Sequence, residues 1–255
     1  MHKTQRMKQI FLNSYSPFCM LVIWEILSRR DIIPSQFFPA PSAIFYDMAV
    51  LFREGTLWTD CLATLRRILG GLLAGGIPGL VLGIAMARSR IFYYFLYPLI
   101  MATYPIPKIS IIPFIILFLG LGDLAKICVI GIGSFFLVCL NTYHGVRSIP
   151  KVYFDVSHIY RLTFWERWRY VILPGALPSI CNGVKLANGL CFMLVVAAEF
   201  MGSRNGLGYR IWLSWESFRI THMFSALFTL AFLAALLSVG WEMISRFLMP
   251  WDASK

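Results

Sequence analysis

Of the 255 residues, 58% are hydrophobic and only 14% charged, and the mean hydropathy is +0.70. A water-soluble domain is roughly half apolar and about a quarter charged, so that class is excluded and the chain belongs in a bilayer. The net charge of +11 does not point to nucleic acid, because the cations sit in short clusters between apolar runs, with no basic stripe on a folded domain.

A helix needs roughly 20 apolar residues to cross about 30 Å of hydrocarbon. By that measure the chain reads as a single all-α transmembrane domain over residues 1–255, with about six spans. The first covers residues 10–27, behind a basic lead-in of Lys3, Arg6 and Lys8, with no small-residue cleavage site after it. Trp24 and Glu25 close it, and Glu25 either anchors that end at the interface or faces a pathway.

The second span is expected over residues 68–87. Gly71, Gly75, Gly79, Gly83 and Ala87 recur every four residues, which makes one face small enough for another helix backbone to approach closely. Pro78 should kink it. The third span, residues 92–119, contains Pro98, Pro105, Pro107 and Pro113 and cannot be one straight helix. Irregular backbone at membrane depth survives only beside protein or a watery cavity, so the stretch from Tyr104 and Pro105 to Pro107 either lines a pathway or is a mere kink.

The fourth span covers residues 127–146 and is followed by a basic loop, residues 147–174. In it Val152, Val156, Ile159 and Tyr160 fall on one face of a short amphipathic helix, with Asp155, Ser157, His158 and Arg161 elsewhere on its surface. Thr163 and Glu166 then stand in the T-x-x-E spacing of a capping box, so a second helix should start near Phe164 and be stopped by Pro174. Such an exposed stripe needs a partner surface, or else lies on lipid headgroups.

The fifth span is expected over residues 178–200 and the sixth over residues 223–247. Polar residues within spans invite a functional reading. Lys185 either snorkels to the headgroups or attracts an anionic solute; Glu199 would cap a gate or meet an outside protein; Asn141 and Asn188 are further pathway candidates. The six cysteines are scattered without a CxxC pair, and no metal set or catalytic constellation is assembled.

Loop cations orient the chain. An inside N-terminus gathers Arg88, Arg90, Arg147, Lys151, Arg161, Arg167 and Arg169 on the inner side, and leaves Arg29, Arg30, Arg53, Arg66 and Arg67 in the first outer loop. The dense short loop outweighs the longer one, so both termini are placed in the cytoplasm.

Several stretches in order carry a family resemblance: "WEILSRRDIIPSQFFPAPSAIF", "YPLIMATYPIPKISIIPFIILFLGLGDLAKI", "VAAEFMGSRNGLGYRIW" and, in the loop, Val171-Ile172-Leu173-Pro174. The chain resembles the membrane-spanning subunits of binding-protein-dependent ABC importers, of the nitrate, sulfonate, taurine and bicarbonate type. The family signature is Glu-Ala-Ala, three residues, Gly, nine residues, then Ile-x-Leu-Pro. Its spacing is kept here, but its first half reads Asp155-Val156-Ser157 and then Arg161 in the glycine position. A left-handed backbone at Arg161 would cost roughly 1 kcal/mol or more. Arg161 either pairs with a partner's carboxylate or is solvated.

The resemblance implies the type I importer permease fold in a bacterial inner membrane. It implies that the loop is a coupling helix in a groove of a separate cytoplasmic ATPase, with Val152 to Arg161, Thr163, Glu166, Leu173 and Pro174 at or near that contact. The ATPase would use ATP and Mg, while this chain, which has no G-x-x-x-x-G-K-[ST] loop, binds no cofactor and is no enzyme. A second permease subunit, an extracytoplasmic solute-binding protein and membrane lipid complete the implied partners. An autonomous secondary transporter or channel is the alternative, and it would need ion-coupling carboxylates within spans.

Overall fold

The computed structural model describes Ser16 and residues 18–251. Among them the order is α1 (residues 18–29), α2 (Pro41–Arg53), α3 (Thr56–Arg88), α4 (Arg90–Thr103), a 3-10 turn (Lys108–Ile111), α5 (Ile112–Leu119) and α6 (Asp123–Arg147). After these come α7 (Lys151–Ile159), α8 (Phe164–Arg167), a π turn (Trp168–Ile172), α9 (Leu173–Phe200), α10 (Leu207–Glu216) and α11 (Ile220–Leu248). No strand occurs among the described residues. Among the described residues four helices are long and apolar enough to cross a membrane, or five if α4 and α5, which meet at 90°, count as one broken span. Residues 10–15 and 17 of the expected first span, Lys3, Arg6, Lys8 and Lys255 lie outside the described residues.

The centre of the bundle is α6, packed between α3 and α9. Its seam with α3 follows from glycine: a Cβ on Gly79 would stand 2.7 Å from the Phe135 carbonyl oxygen, and one on Gly83 would stand 2.6 Å from that of Cys139. At Gly75 a Cβ would collide with the Gly131 carbonyl. Gly71 in turn faces Ile130, and the Ser134 hydroxyl donates to the Gly71 carbonyl across the seam at 3.1 Å. Ile68, Leu72, Val129, Ile130, Leu194 and Val195 close the core around this contact.

Two expectations are corrected. First, the helix that holds the expected span of residues 68–87 starts already at Thr56, and its 33 residues reach about 50 Å, well beyond the hydrocarbon. Arg66 and Arg67 are therefore helical residues and not part of a loop. Second, Pro174 stops nothing, and residues 164–200 run as one continuous helix. The peptide four residues before Pro174, at Tyr170, lies in the π turn, where Leu173 N–H reaches back to the Trp168 carbonyl; this wider winding removes the clash a proline ring makes with a regular helix.

Three helices end alike, each with a non-glycine residue in the left-handed region: Asp31 (φ 50°), Arg161 (φ 49°) and Phe218 (φ 54°). After α7, Leu162 N–H donates to the Ser157 carbonyl and Arg161 N–H to that of His158, both at 3.0 Å. This is the Schellman pattern, with arginine where glycine is usual.

Candidate functional site

The loop from Ser148 to Pro174 forms a two-helix elbow at one end of the bundle. Pro150 stands just before α7 and the Schellman turn closes it. At Thr163 the chain restarts: Thr163 N–H donates to Glu166 Oε2 at 2.8 Å, while Glu166 N–H donates to Thr163 Oγ1 at 3.4 Å. The capping box is complete, and the Thr163 backbone N–H, then its hydroxyl, hold the Glu166 carboxyl below its ordinary pKa.

Only a narrow edge of α7 touches the rest of the protein. Ser157 is buried, donating to the Phe154 carbonyl at 2.6 Å, and Phe154 is half-buried; the other residues of α7, Asp155 included, are exposed. The stripe Val152, Val156, Ile159 and Tyr160 is 59, 45, 78 and 75% exposed. Phe164 and Trp165 of α8 are exposed as well, and the Arg88 guanidinium lies over the Phe164 ring at 5.2 Å. Leu173 is exposed, and Pro174 lines a pocket of about 410 Å³ with Tyr153, Tyr170 and Trp251. The structure thus brings the predicted loop residues onto one elbow, with apolar side chains on both of its helices that this chain leaves uncovered.

The other singled-out residues scatter. Tyr104 and Pro105 stand at the break between α4 and α5, on the exposed side of the chain. Asn141 donates from Nδ2 to the Leu137 carbonyl of its own helix at 2.8 Å. Asn188 is buried, and its Oδ1 has no hydrogen-bond partner among the described residues. Lys185 is ion-paired with Glu242 of α11, which also accepts from Arg246 Nε at 3.1 Å. Glu25 caps α2: it accepts from Ser42 N–H at 2.9 Å and from Ser42 Oγ at 2.7 Å.

Glu199 is corrected from a gate residue to an internal one. It is fully buried and accepts from Arg67 Nη1 at 2.6 Å, from Thr64 Oγ1 at 2.9 Å and from Gly208 N–H at 2.8 Å. Asp60 accepts from Gly206 N–H at 2.8 Å and from Arg210 Nε at 2.7 Å, and Leu207 N–H donates to Thr64 Oγ1 at 2.9 Å. Three successive N–H groups that open α10 are therefore satisfied by side chains of α3 and α9. Carboxylates here also meet the positive end of that helix. Sequence reading missed Asp60, Arg67, Asp123 and Glu242; a carboxylate and an arginine on neighbouring apolar helices were the available signal.

Residues 79–251 match the family described as "Binding-protein-dependent transport system inner membrane component". The chain is 28% identical to the taurine transport system permease protein TauC of Escherichia coli (strain K12), over 96% of this chain and 90% of that one. It is 32% identical to the riboflavin transport system permease protein RibX of Chloroflexus aurantiacus, over 92% of this chain and 88% of that one. A solved inward-facing form of the MetNI methionine ABC transporter shares the fold, with a TM-score of 0.64 at 22% identity over 77% of this chain and 98% of that chain.

Proposed function

The chain belongs to the binding-protein-dependent transport system inner membrane components, and from that premise we propose that two copies of it enclose an import pathway for a small anion. A sulfonate such as taurine is the first choice of solute, supported by the taurine permease among its relatives; nitrate and bicarbonate share the negative charge. Separate cytoplasmic ATPase subunits bind ATP and Mg and supply the energy, an extracytoplasmic binding protein delivers the solute, and lipid surrounds the bundle. Both termini and the elbow face the cytoplasm.

One observation carries this reading: α7 leaves Val152, Val156, Ile159 and Tyr160 uncovered on a helix closed at its C-terminal end by the Schellman hydrogen bonds and followed directly by the capped start of α8. A pre-ordered helix with an apolar stripe is what helix-in-groove docking requires. Movement of the ATPases would pull on the elbow, and the continuous helix from residue 164 to 200 would pass that motion into the bundle.

The riboflavin permease favours a second reading of the solute, a larger cofactor precursor. Purification of the tagged chain from its own membrane in mild detergent tests both. An ATPase and a binding protein should come with it, and the ligand of the binding protein names the solute. A chain that is isolated alone and moves solute without nucleotide would instead be an autonomous transporter.

A further inference from the structure

The break between α4 and α5 has a local chemistry that the transport reading does not require. Its sequence is Tyr104-Pro105-Ile106-Pro107-Lys108. A regular helix would serve the Thr103 carbonyl with the N–H of residue 107, but that residue is proline and has none, and the carbonyl accepts instead from Ile106 N–H at 3.2 Å. The carbonyls of Tyr104 and Ile106 also lose their helical partners as the chain turns. In a membrane protein such carbonyls must be satisfied by protein or by a watery cavity.

The side chain of Lys108 reaches all three carbonyls, and for Thr103 it adds to the bond from Ile106 N–H. Its Nζ donates to the carbonyls of Thr103 at 3.0 Å, Tyr104 at 2.9 Å and Ile106 at 2.8 Å. An ammonium has three N–H donors and all three are used. The same Nζ lies 4.3 Å from the ring centroid of Phe136 on α6 and 5.9 Å from that of Tyr104, so two aromatic rings flank it. Three converging carbonyls and a ring face are the features by which a primary ammonium is recognised.

We propose that the break is an ammonium-binding site which the chain fills with its own Lys108, and that Lys108 is thereby the positioning residue that sets the bend between α4 and α5. With its protons committed to backbone oxygens, Lys108 keeps its positive charge at the bend but offers no donor to a passing solute. Its effect on transport rests on the reading that this segment lines the pathway.

The test uses Lys108→Ala in the purified full chain in detergent, with n-propylammonium chloride as probe. Propylammonium replaces the atoms the substitution removes, three carbons and the nitrogen. Tetramethylammonium carries the same charge but no N–H donor. The expected result is an unfolding midpoint lowered by roughly 5 °C in Lys108→Ala and raised again by propylammonium but not by tetramethylammonium, with the native chain indifferent to both. A midpoint like that of the native chain, or equal recovery with either cation, overturns the site. If Lys108→Ala does not fold, Lys108→Met carries the test, since it keeps the stem and drops the donors; an unchanged midpoint overturns the site. In the assembled importer, transport by Lys108→Ala should fall at least about tenfold and recover with propylammonium alone. Undiminished transport beside a recovered midpoint overturns the positioning role of Lys108 and the pathway reading of the break, while leaving the permease assignment intact.

Discussion

The guanidinium of Arg67 and the carboxylate of Glu199, 132 residues apart in the chain, meet at 2.6 Å with neither residue more than 2% exposed. Arg67 also donates to Asp123 at the start of α6 and to the Asn205 side chain and carbonyl, so α3, α6, α9 and the turn before α10 are joined at one guanidinium. Removing one member of a buried pair leaves the other charged and uncompensated. Arg67→Met, which leaves the buried Glu199 carboxylate without its cation, should therefore destabilise the chain by about 3 kcal/mol or more, read as a fall in unfolding midpoint in detergent. Because Glu199→Leu removes that orphaned charge, the double variant should lose clearly less than the sum of the two single variants. Additive losses would mean the two side chains do not act as a pair.

The seam between α3 and α6 gives a sharper test than bulky substitution. A Cβ at Gly75 would strike the Gly131 carbonyl, whereas one at Gly76 meets only Val138 Cγ2, at 3.9 Å. Gly75→Ala should cost about 1–3 kcal/mol through overpacking, while Gly76→Ala should be neutral or stabilise by about 0.5–1 kcal/mol because a helix-interior glycine is lost. Unfolding midpoints of the two single variants decide it, and equal midpoints would contradict the close approach.

Arg161 occupies a left-handed position that glycine fills without strain. Arg161→Gly should therefore stabilise the elbow by about 1 kcal/mol, read as slower cleavage by a protease acting in the loop, and Arg161→Val should accelerate it. If the guanidinium also pairs with the ATPase, Arg161→Gly will weaken docking while it stabilises the turn. Slower cleavage with full docking would leave Arg161 a strained, solvated residue.

The capping box predicts a pH dependence. Hydrogen bonds from Thr163 depress the Glu166 pKa, so the stabilisation is fully present above the unfolded pKa and is lost as pH falls through the folded one. Protease sensitivity of the loop should rise only once the pH falls below the ordinary carboxylate range, and Thr163→Ala, which typically costs about 1 kcal/mol at a helix N-terminus, should show that sensitivity already at neutral pH. A loop equally resistant at both pH values would show that the box does not hold the elbow.

What could be read from the sequence was what local spacing controls. Gly71 to Gly83 at every fourth residue announced a close helix contact, Thr163 and Glu166 announced their cap, and Val152 to Tyr160 announced an uncovered stripe. What escaped was decided by long-range geometry. Arg66 and Arg67 look like loop cations until Asp123 and Glu199, 56 and 132 residues beyond Arg67, arrive beside them. Glu199 looks like a gate residue because its span ends there, although α10 folds back and covers it with the N–H of Gly208. Pro174 escaped for a different reason: a π turn lets a helix continue through proline, and no residue type signals that turn in advance. Lys108 was passed over because a lysine near prolines reads as a surface charge until three carbonyls are seen to converge on it.

The most direct measurement is made on α7. Val156 lies in the middle of the exposed stripe, and Val156→Asp would place an unpaired charge in the proposed groove, which costs several kcal/mol in a desolvated contact and nothing on a solvated surface. The unfolding midpoint of the variant should match that of the native chain, because Val156 touches solvent and not the bundle core. Co-purification of the ATPase with the variant in detergent, alongside transport in vesicles supplied with the binding protein, should show both lost. A Val156→Asp chain that retains its ATPase and transports at the normal rate would contradict the account, and place α7 on the lipid headgroups instead.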